Sequence, residues 1–142
     1  MKRRRQRGAA LVEFALVSGL LCLLLFGIIE MGLLFGDQAL VGAAAREAAR
    51  SAAVGDPTAT ARSHGVSGGA GLSPSAVNIV LEQSDLNGLV WQPLGDLGAN
   101  NDAVSNVSLV RATVTYSHPL VTSYIFTGGA RTLTARLVMR RE

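Results

Sequence analysis

An almost uncharged block near the N-terminus limits what this chain can fold into. Between Ala9 and Gly36 the 28 residues include only two charged side chains, Glu13 and Glu30. The uncharged core of the block, residues 14–29, has 16 residues, slightly fewer than the ~20 that usually span hydrocarbon. With the residues around both glutamates, the block reaches ~42 Å as a helix. It is long enough to cross a bilayer with one carboxylate near each boundary, and too long for the apolar region of a typical secretory signal.

The uneven distribution of hydrophobic residues excludes several protein classes. The 142 residues are 49% hydrophobic and 16% charged, and such a concentrated apolar block is typical neither of a soluble enzyme nor of a disordered chain. Cys22 is the single cysteine, so no disulfide forms within the chain. Leu21 is too large to precede a lipidated cysteine. No P-loop, GxGxxG motif or positioned Ser/His/Asp set is present, so we expect neither an enzyme nor a cofactor.

The positive charge of the chain is concentrated in its first residues. Of 13 basic side chains, five lie in the first seven positions: Lys2, Arg3, Arg4, Arg5 and Arg7. The remainder has 8 basic and 10 acidic residues, so the high isoelectric point does not indicate a nucleic-acid partner. Basic residues directly before an apolar span hold that end of a membrane protein in the cytoplasm. The pattern predicts a single-pass protein with a cytoplasmic N-terminus and the C-terminus outside.

The helical pattern continues beyond the apolar block. The segment after Gly36 is rich in alanine, a strong helix former, and Gly55-Asp56-Pro57 is a stop signal. We therefore predict a basic leader at residues 1–8 and one helix over residues 9–54, ~69 Å long, that spans the membrane in its first half. The outer half would present small alanine side chains for packing.

The remaining residues predict a small β-rich head. A short helix from Pro57 to about Ser63, ended by His64-Gly65, and a Gly/Ser-rich linker fill residues 55–75. Residues 76–142 alternate apolar and polar side chains, which is typical of an antiparallel sheet with one buried face. The candidate strands are Ala76–Glu82, Leu89–Gln92, Val107–Tyr116 and Thr132–Met139. The predicted fold class is α+β, a long helix that carries a small antiparallel sheet.

Metal binding receives little support from the sequence. His64 and His118 have no second ligand at metal spacing, so we expect both on the surface. The segment Asp96–Asp102 contains oxygen ligands but lacks a bidentate Glu, which favours a plain turn over a calcium loop. We expect no bound metal.

The junction between leader and span carries the most specific pattern. In Arg7-Gly8-Ala9-Ala10-Leu11-Val12-Glu13-Phe14, a basic head ends in Gly, and a Glu and an aromatic residue follow at the fifth and sixth positions. This resembles the cleavage site of type IV prepilins in its Flp-like variant. With ALVEFAL, LLFGIIEMG, AAREAARSAAVGDP, ATVTY and the terminal LTARLVMRRE, the chain resembles the TadE-like family, pilin-like proteins of the tight adherence system. The resemblance is dense over the first 57 residues and looser over the last 35.

The resemblance implies a set of partners and a location. A prepilin peptidase of the membrane would cut between Gly8 and Ala9, and the protein would act with other pilin-like subunits and the pilus assembly platform. It would lie in the bacterial cytoplasmic membrane or enter an extracellular pilus. Phe14 stands where the major Flp pilins usually have Tyr. Together with the large region outside the membrane, this favours a minor pilin or pseudopilin.

Two carboxylates in the span are candidates for assembly contacts. A charged side chain at the centre of a membrane helix costs roughly 2.5–3.5 kcal/mol on insertion scales. Glu13 lies one helical turn from the amine that cleavage would create on Ala9, so it can pair with that amine on a neighbouring subunit; the alternative is a side chain that reaches the headgroups. Glu30 is ~25 Å further along the helix, at the outer interface, where it either meets another subunit or simply faces the headgroups.

Two other functions remain open on the sequence alone. The protein can be an uncleaved, signal-anchored adhesin-like protein whose head binds a ligand outside the cell. It can also be an accessory subunit of a membrane enzyme. Cleavage after Gly8 distinguishes a pilin-like protein from the first alternative, and neighbouring genes for a secretion ATPase and a prepilin peptidase would argue against the second.

Overall fold

The structure is a computed structural model that describes residues 2–84, 88–94, 109–121 and 129–141, with the side chains of residues 2–7 and 9 excepted. Two helices, a short 3₁₀ turn at Pro74–Ala76 and four strands are present in these ranges. The elements, in chain order, are α1 (Lys2–Val54), α2 (Thr58–Gly68), β1 (Val77–Ser84), β2 (Trp91–Pro93), β3 (Leu109–His118) and β4 (Arg131–Arg140).

Helix α1 is continuous from the basic leader to the head. It has 53 residues, so it is ~80 Å long, and it ends at Val54 as the Gly-Asp-Pro stop predicts. It begins at Lys2, because Lys, Arg and Gln are good helix formers and a single Gly8 weakens a helix without ending it. The leader and the stem therefore share one helix, and the predicted cleavage site lies inside it.

Helix α2 is longer than the sequence indicates. The sequence predicts an end at His64-Gly65, but the helix continues to Gly68. The glycines serve close packing: a Cβ on Gly65 would lie 2.8 Å from the Cβ of Ala48, and one on Gly68 would lie 2.8 Å from the Cβ of Glu47. The prediction was wrong because these glycines let α2 approach α1, an effect that depends on tertiary contact and is invisible in the local pattern.

The four strands form one antiparallel sheet in the order β2-β1-β3-β4, which confirms the predicted α+β class. Each predicted strand is present with shifted ends; Val107 lies outside the described residues, and β3 ends two residues after Tyr116. Strand β3 alternates strictly, with Val110, Ala112, Val114, Tyr116 and His118 buried. One face of the sheet is therefore the core face.

The core lies between the sheet and the outer half of α1, which packs against α2, β3 and β4. Alanines of α1 are almost completely buried at Ala44, Ala45, Ala48, Ala49 and Ala52. On the sheet, Ala112 of β3 lies between Leu81 and Leu137 in register. Leu133 is buried, whereas Leu137 is only half-buried, since β4 is an edge strand.

Between Leu11 and Ile29 the side chains of α1 have little protein cover. The large apolar side chains in this range are exposed, and Glu30 is the first buried one among the described side chains of the helix. This is the one described helix that is long and apolar enough to cross a membrane. The uncovered stem of about 20 residues measures ~30 Å, which equals the thickness of the hydrocarbon core of a bilayer.

The packing of α2 on α1 generates a stability prediction. We expect Gly65→Ala to lower the free energy of unfolding by about 1–2 kcal/mol, since the new methyl group would lie 2.6 Å from Cδ1 of Ile79 and overlap outweighs the better helix propensity. Gly42→Ala is the matched control, because only Nη1 of Arg46 is near, at 4.0 Å, and up to ~1 kcal/mol should be gained. Thermal unfolding of both variants in detergent measures the difference, and equal melting temperatures would contradict the packing argument.

Candidate functional site

The predicted processing and assembly residues lie on an uncovered stretch of α1. A Cβ on Gly8 would have no neighbouring side chain or remote backbone atom within 4 Å, and Phe14 is 71% exposed. Glu13 is exposed and no described residue forms an ion pair with it. Ala9 lies four residues before Glu13, one turn away on the same helical face. Among the described residues, therefore, no part of the head covers Gly8 or the Glu13 carboxylate.

Glu30 lies in a different environment, at the point where the head begins to cover the stem. Its side chain is only 9% exposed, and its Oε1 accepts a hydrogen bond of 3.2 Å from the backbone N–H of Val121. The same oxygen lies 3.5 Å from Nε2 of His118. The described contacts of Glu30 are therefore made with the head of its own chain.

His118 connects two carboxylates of α1 to the end of β3. Its Nδ1 lies 2.6 Å from Oδ2 of Asp37, and because a carboxylate only accepts hydrogen bonds, Nδ1 carries the hydrogen. Nε2 has no hydrogen-bond partner in the described part of the chain, and it lies 3.5 Å from Oε1 of Glu30. A hydrogen on Nε2 as well would place a positively charged ring between two carboxylates, in a position that is almost closed to solvent.

We call Glu30, Asp37 and His118 the junction cluster. Its two carboxylates are seven residues apart on α1, which is two turns, so they point to the same side of the helix. The third member arrives from β3, and the ring is 5% exposed. The cluster ties the membrane-side end of the sheet to the helix, at the position where the uncovered stem ends.

Of the three members of the junction cluster, the sequence identified Glu30 as a candidate functional residue. The prediction that His118 lies on the surface was wrong, because β3 extends two residues beyond its predicted end and alternation then directs this side chain to the core face. The two-turn spacing of Glu30 and Asp37 was the available signal in the sequence. His64 is exposed, as predicted.

A second polar cluster lies on the opposite face of the sheet. The Arg111 guanidinium donates to Glu82, with Nε 2.7 Å from Oε2, and stacks 4.0 Å from the centroid of the Trp91 ring. These contacts hold the short strand β2 to the centre of the sheet. The cluster is a stabilising feature of the head and contains no nucleophile or acid–base pair.

Charged groups on the solvent side of α1 contribute little energy. Arg50 donates to Glu47 at 2.7 Å, and this hydrogen bond lowers the pKa of the Glu47 carboxyl and raises that of Arg50. Both groups are open to water, where such pairs are weak. Across the described ranges no three His, Cys, Asp or Glu side chains are arranged to hold a metal ion. The candidate calcium loop Asp96–Asp102 lies outside the described residues.

Comparison with known proteins gives one match. Residues 8–50 match the model of a family described as TadE-like protein, which confirms the predicted resemblance over this segment. The match begins at Gly8 and ends within the alanine-rich part of α1, so it includes the uncovered stem, Glu13 and two members of the junction cluster. No curated protein and no solved structure matches the chain.

The junction cluster generates a prediction on the attachment of head to stem. His118→Leu removes the imidazole that hydrogen-bonds Asp37 and lies 3.5 Å from Glu30, and we expect the head to lose about 2–4 kcal/mol of stability because both acids lose a polar neighbour in a largely closed site. His64→Leu is the control, since His64 is exposed on α2. Denaturant unfolding of the full chain in micelles, followed by Trp91 fluorescence, measures both; an unchanged midpoint for His118→Leu would show that the cluster contributes no stability.

Proposed function

We propose that this chain, whose residues 8–50 are TadE-like and whose fold is pilin-like, is a minor pilin or pseudopilin of a tight adherence (Flp-type) pilus system. One observation carries the proposal. The family match begins at Gly8, and an accessible stem with exposed Glu13 and Phe14 follows at once. In such a protein the stem must be available to a peptidase, to lipid and to neighbouring subunits, and this stem has no cover from its own chain.

The stem is a single-pass membrane anchor by length and composition. In the proposed topology, the basic residues before it remain in the cytoplasm and the head lies outside. Neither half of α1 can replace the other: the first half exposes Leu and Phe side chains, and the second half is a wall of the head core. The chain would thus be held in the cytoplasmic membrane before any incorporation into a pilus.

The proposed chemical event is performed on this protein by a prepilin peptidase, and the chain itself is not an enzyme. The Gly8–Ala9 bond lies within α1, so the peptidase must unwind the helix locally to bind an extended backbone. Glycine lowers the cost of unwinding, since it is ~1 kcal/mol less favourable than Ala in a helix. Its missing side chain also leaves the bond open to a narrow cleft.

After cleavage Glu13 would take part in assembly. The carboxylate has no partner among the described side chains, and a charge in the bilayer is costly without one. The new Ala9 amine of a neighbouring subunit is a cation at a similar depth, since Ala9 and Glu13 are one turn apart. Pairing between subunits would compensate both charges and define the axial offset of the two stems.

The first test is cleavage between Gly8 and Ala9. Mass measurement of the membrane protein in cells that contain the peptidase should show a chain that begins at Ala9. Gly8→Leu should leave the precursor uncut, because a bulky side chain blocks access to the bond. Gly19→Leu, at another open glycine of the stem, should be cut normally. An intact N-terminus in the unaltered protein would instead favour a signal-anchored binding protein.

The second test separates assembly from processing. Glu13→Gln keeps the size and helix propensity but removes the charge, so cleavage should persist and association with other pilin-like subunits should weaken. Glu47→Gln makes the same change outside the stem and should leave association unaltered. Co-purification from membranes, compared at equal amounts of cleaved protein, is the measurement. Full association of the Glu13→Gln protein would mean that this carboxylate only reaches the headgroups.

A further inference from the structure

The position at which the head first covers α1 indicates how close the head lies to the hydrocarbon core of the membrane. The uncovered stem is as long as the hydrocarbon core is thick, so with Leu11 at the inner edge of the hydrocarbon, Glu30 lies at its outer edge. The head contacts the helix at this level, through His118 and the backbone N–H of Val121. No spacer separates the head from the span.

The apolar surface of α1 continues beyond this level on the faces that the head leaves open. Met31 is 50% exposed, Leu33 45% and Phe35 67%, and Phe35 lies ~7.5 Å further along the helix than Glu30. Apolar side chains of this size are unfavourable in bulk water relative to a buried position. On those faces the helix is therefore suited to the interfacial region of the membrane, at the same depth at which the head covers the other face.

The end of the sheet that lies beside Glu30 has both an apolar and a basic side chain, which is the combination that a phospholipid surface can bind. Val121 is 47% exposed, while its backbone N–H is fixed to Glu30. Arg131 begins β4, is exposed, and is the cross-strand neighbour of His118. Val121 is thus held to α1 at Glu30 and Arg131 is paired with His118, so both residues are attached to the junction cluster, where the exposed apolar surface of the stem meets the head.

We propose that this end of the head, formed by Val121 and Arg131, docks on the phospholipid surface of the bilayer. Val121 inserts among the upper acyl chains and Arg131 binds headgroup phosphate. The proposal rests on the membrane-anchor part of the proposed function and adds to it a fixed position of the head. Arginine suits this role because its planar guanidinium binds phosphate in a bidentate manner.

The junction cluster makes this docking physically possible. A head that is pressed against the bilayer would bring Glu30 to the edge of the hydrocarbon, where an exposed carboxylate is costly. In the structure Glu30 is instead covered by His118 and Val121, so the surface offered to lipid contains Val121 and Arg131 and excludes the acid. The hydrogen bond from the backbone N–H of Val121 to Glu30 helps to cover the acid, and it leaves the Val121 side chain exposed.

The test measures the depth of single spin labels in the full chain, with Cys22→Ser in every variant and vesicles of phosphatidylcholine and phosphatidylglycerol. A label at Val121→Cys is compared with one at Val54→Cys. Val54 is also an exposed valine, at 60%, and it is the last residue of α1, at the end away from the stem. A water-soluble nickel chelate should reach the label at 121 several-fold less than the label at 54, while oxygen should reach the label at 121 more. Equal access of the chelate to both would overturn the docking.

A third label, at Leu20→Cys, tests the anchor separately. If the chelate is excluded at 20 and reaches 121 freely, the stem spans the membrane and only the docking is wrong. If the chelate reaches 20 as well, the membrane anchor and with it the proposed function fail.

A charge reversal tests the phosphate contact. In vesicles with phosphatidylglycerol, Arg131→Glu should increase access of the chelate to the label at 121. Arg62→Glu, an exposed arginine on α2, should not. Both variants must retain the unfolding midpoint of the parent, which identifies a folded head. Identical depth for the two variants would remove Arg131 from the lipid contact.

Discussion

The close approach of α1 and α2 is the contact on which the head depends. One continuous helix, α1, therefore has two parts. Its first part is the exposed apolar stem, and its second part packs into the core of the head. The change is made in side-chain size: Leu and Phe on the stem, then Ala on the core segment. Small side chains on α1 and glycines on α2 let two backbones lie near each other, and the sheet covers the other side. The head is therefore packed directly on the helix that also forms the stem.

The junction cluster connects this architecture to its membrane environment. Glu30 and Asp37 occupy one side of α1 where the uncovered stem meets the head, and His118 of β3 lies between them. Any other placement of the sheet along α1 would remove the imidazole from these two side chains. The cluster thus marks the level of α1 at which the sheet is seated. In the proposed docking, that level also selects which residues of the head face the lipid.

The two glutamates of α1 lie in different environments despite their shared residue type. Glu13 is exposed on the stem, one turn beyond Ala9, and its proposed partner belongs to another molecule. Glu30 makes its contacts within its own chain. The first is suited to assembly and the second to attachment of the head. In the proposed function, the stem has to stay uncovered so that it can be cut, inserted in the membrane and bound by other subunits. The same helix also carries the head, so Glu30 has to be covered where the head begins.

Much of the architecture followed from the sequence. The length of the stem, the stop at Gly55-Asp56-Pro57 and the alternation of β3 depend on local composition and periodicity, so the class of fold and the antiparallel sheet could be predicted. The TadE-like resemblance also depended on linear order alone. Candidate residues Gly8, Ala9, Glu13 and Phe14 were identified in the same way, because they lie within one short segment. Their proposed roles require a peptidase and other subunits.

Other features were decided by tertiary contact. Helix α2 continues through Gly65, where the missing side chain allows close packing against Ala48 of α1. His118 is buried because β3 places it beside Asp37 and Glu30, which are 81 or more residues away in sequence. Helix propensity and alternation describe neighbours along the chain, whereas close backbone approach and ion pairing depend on which elements meet in space. The sequence by itself determined the stem, the sheet and the motif at the start of the span. Only the tertiary structure decided the level of α1 at which the head is seated, since that level is set by contacts between residues far apart in sequence.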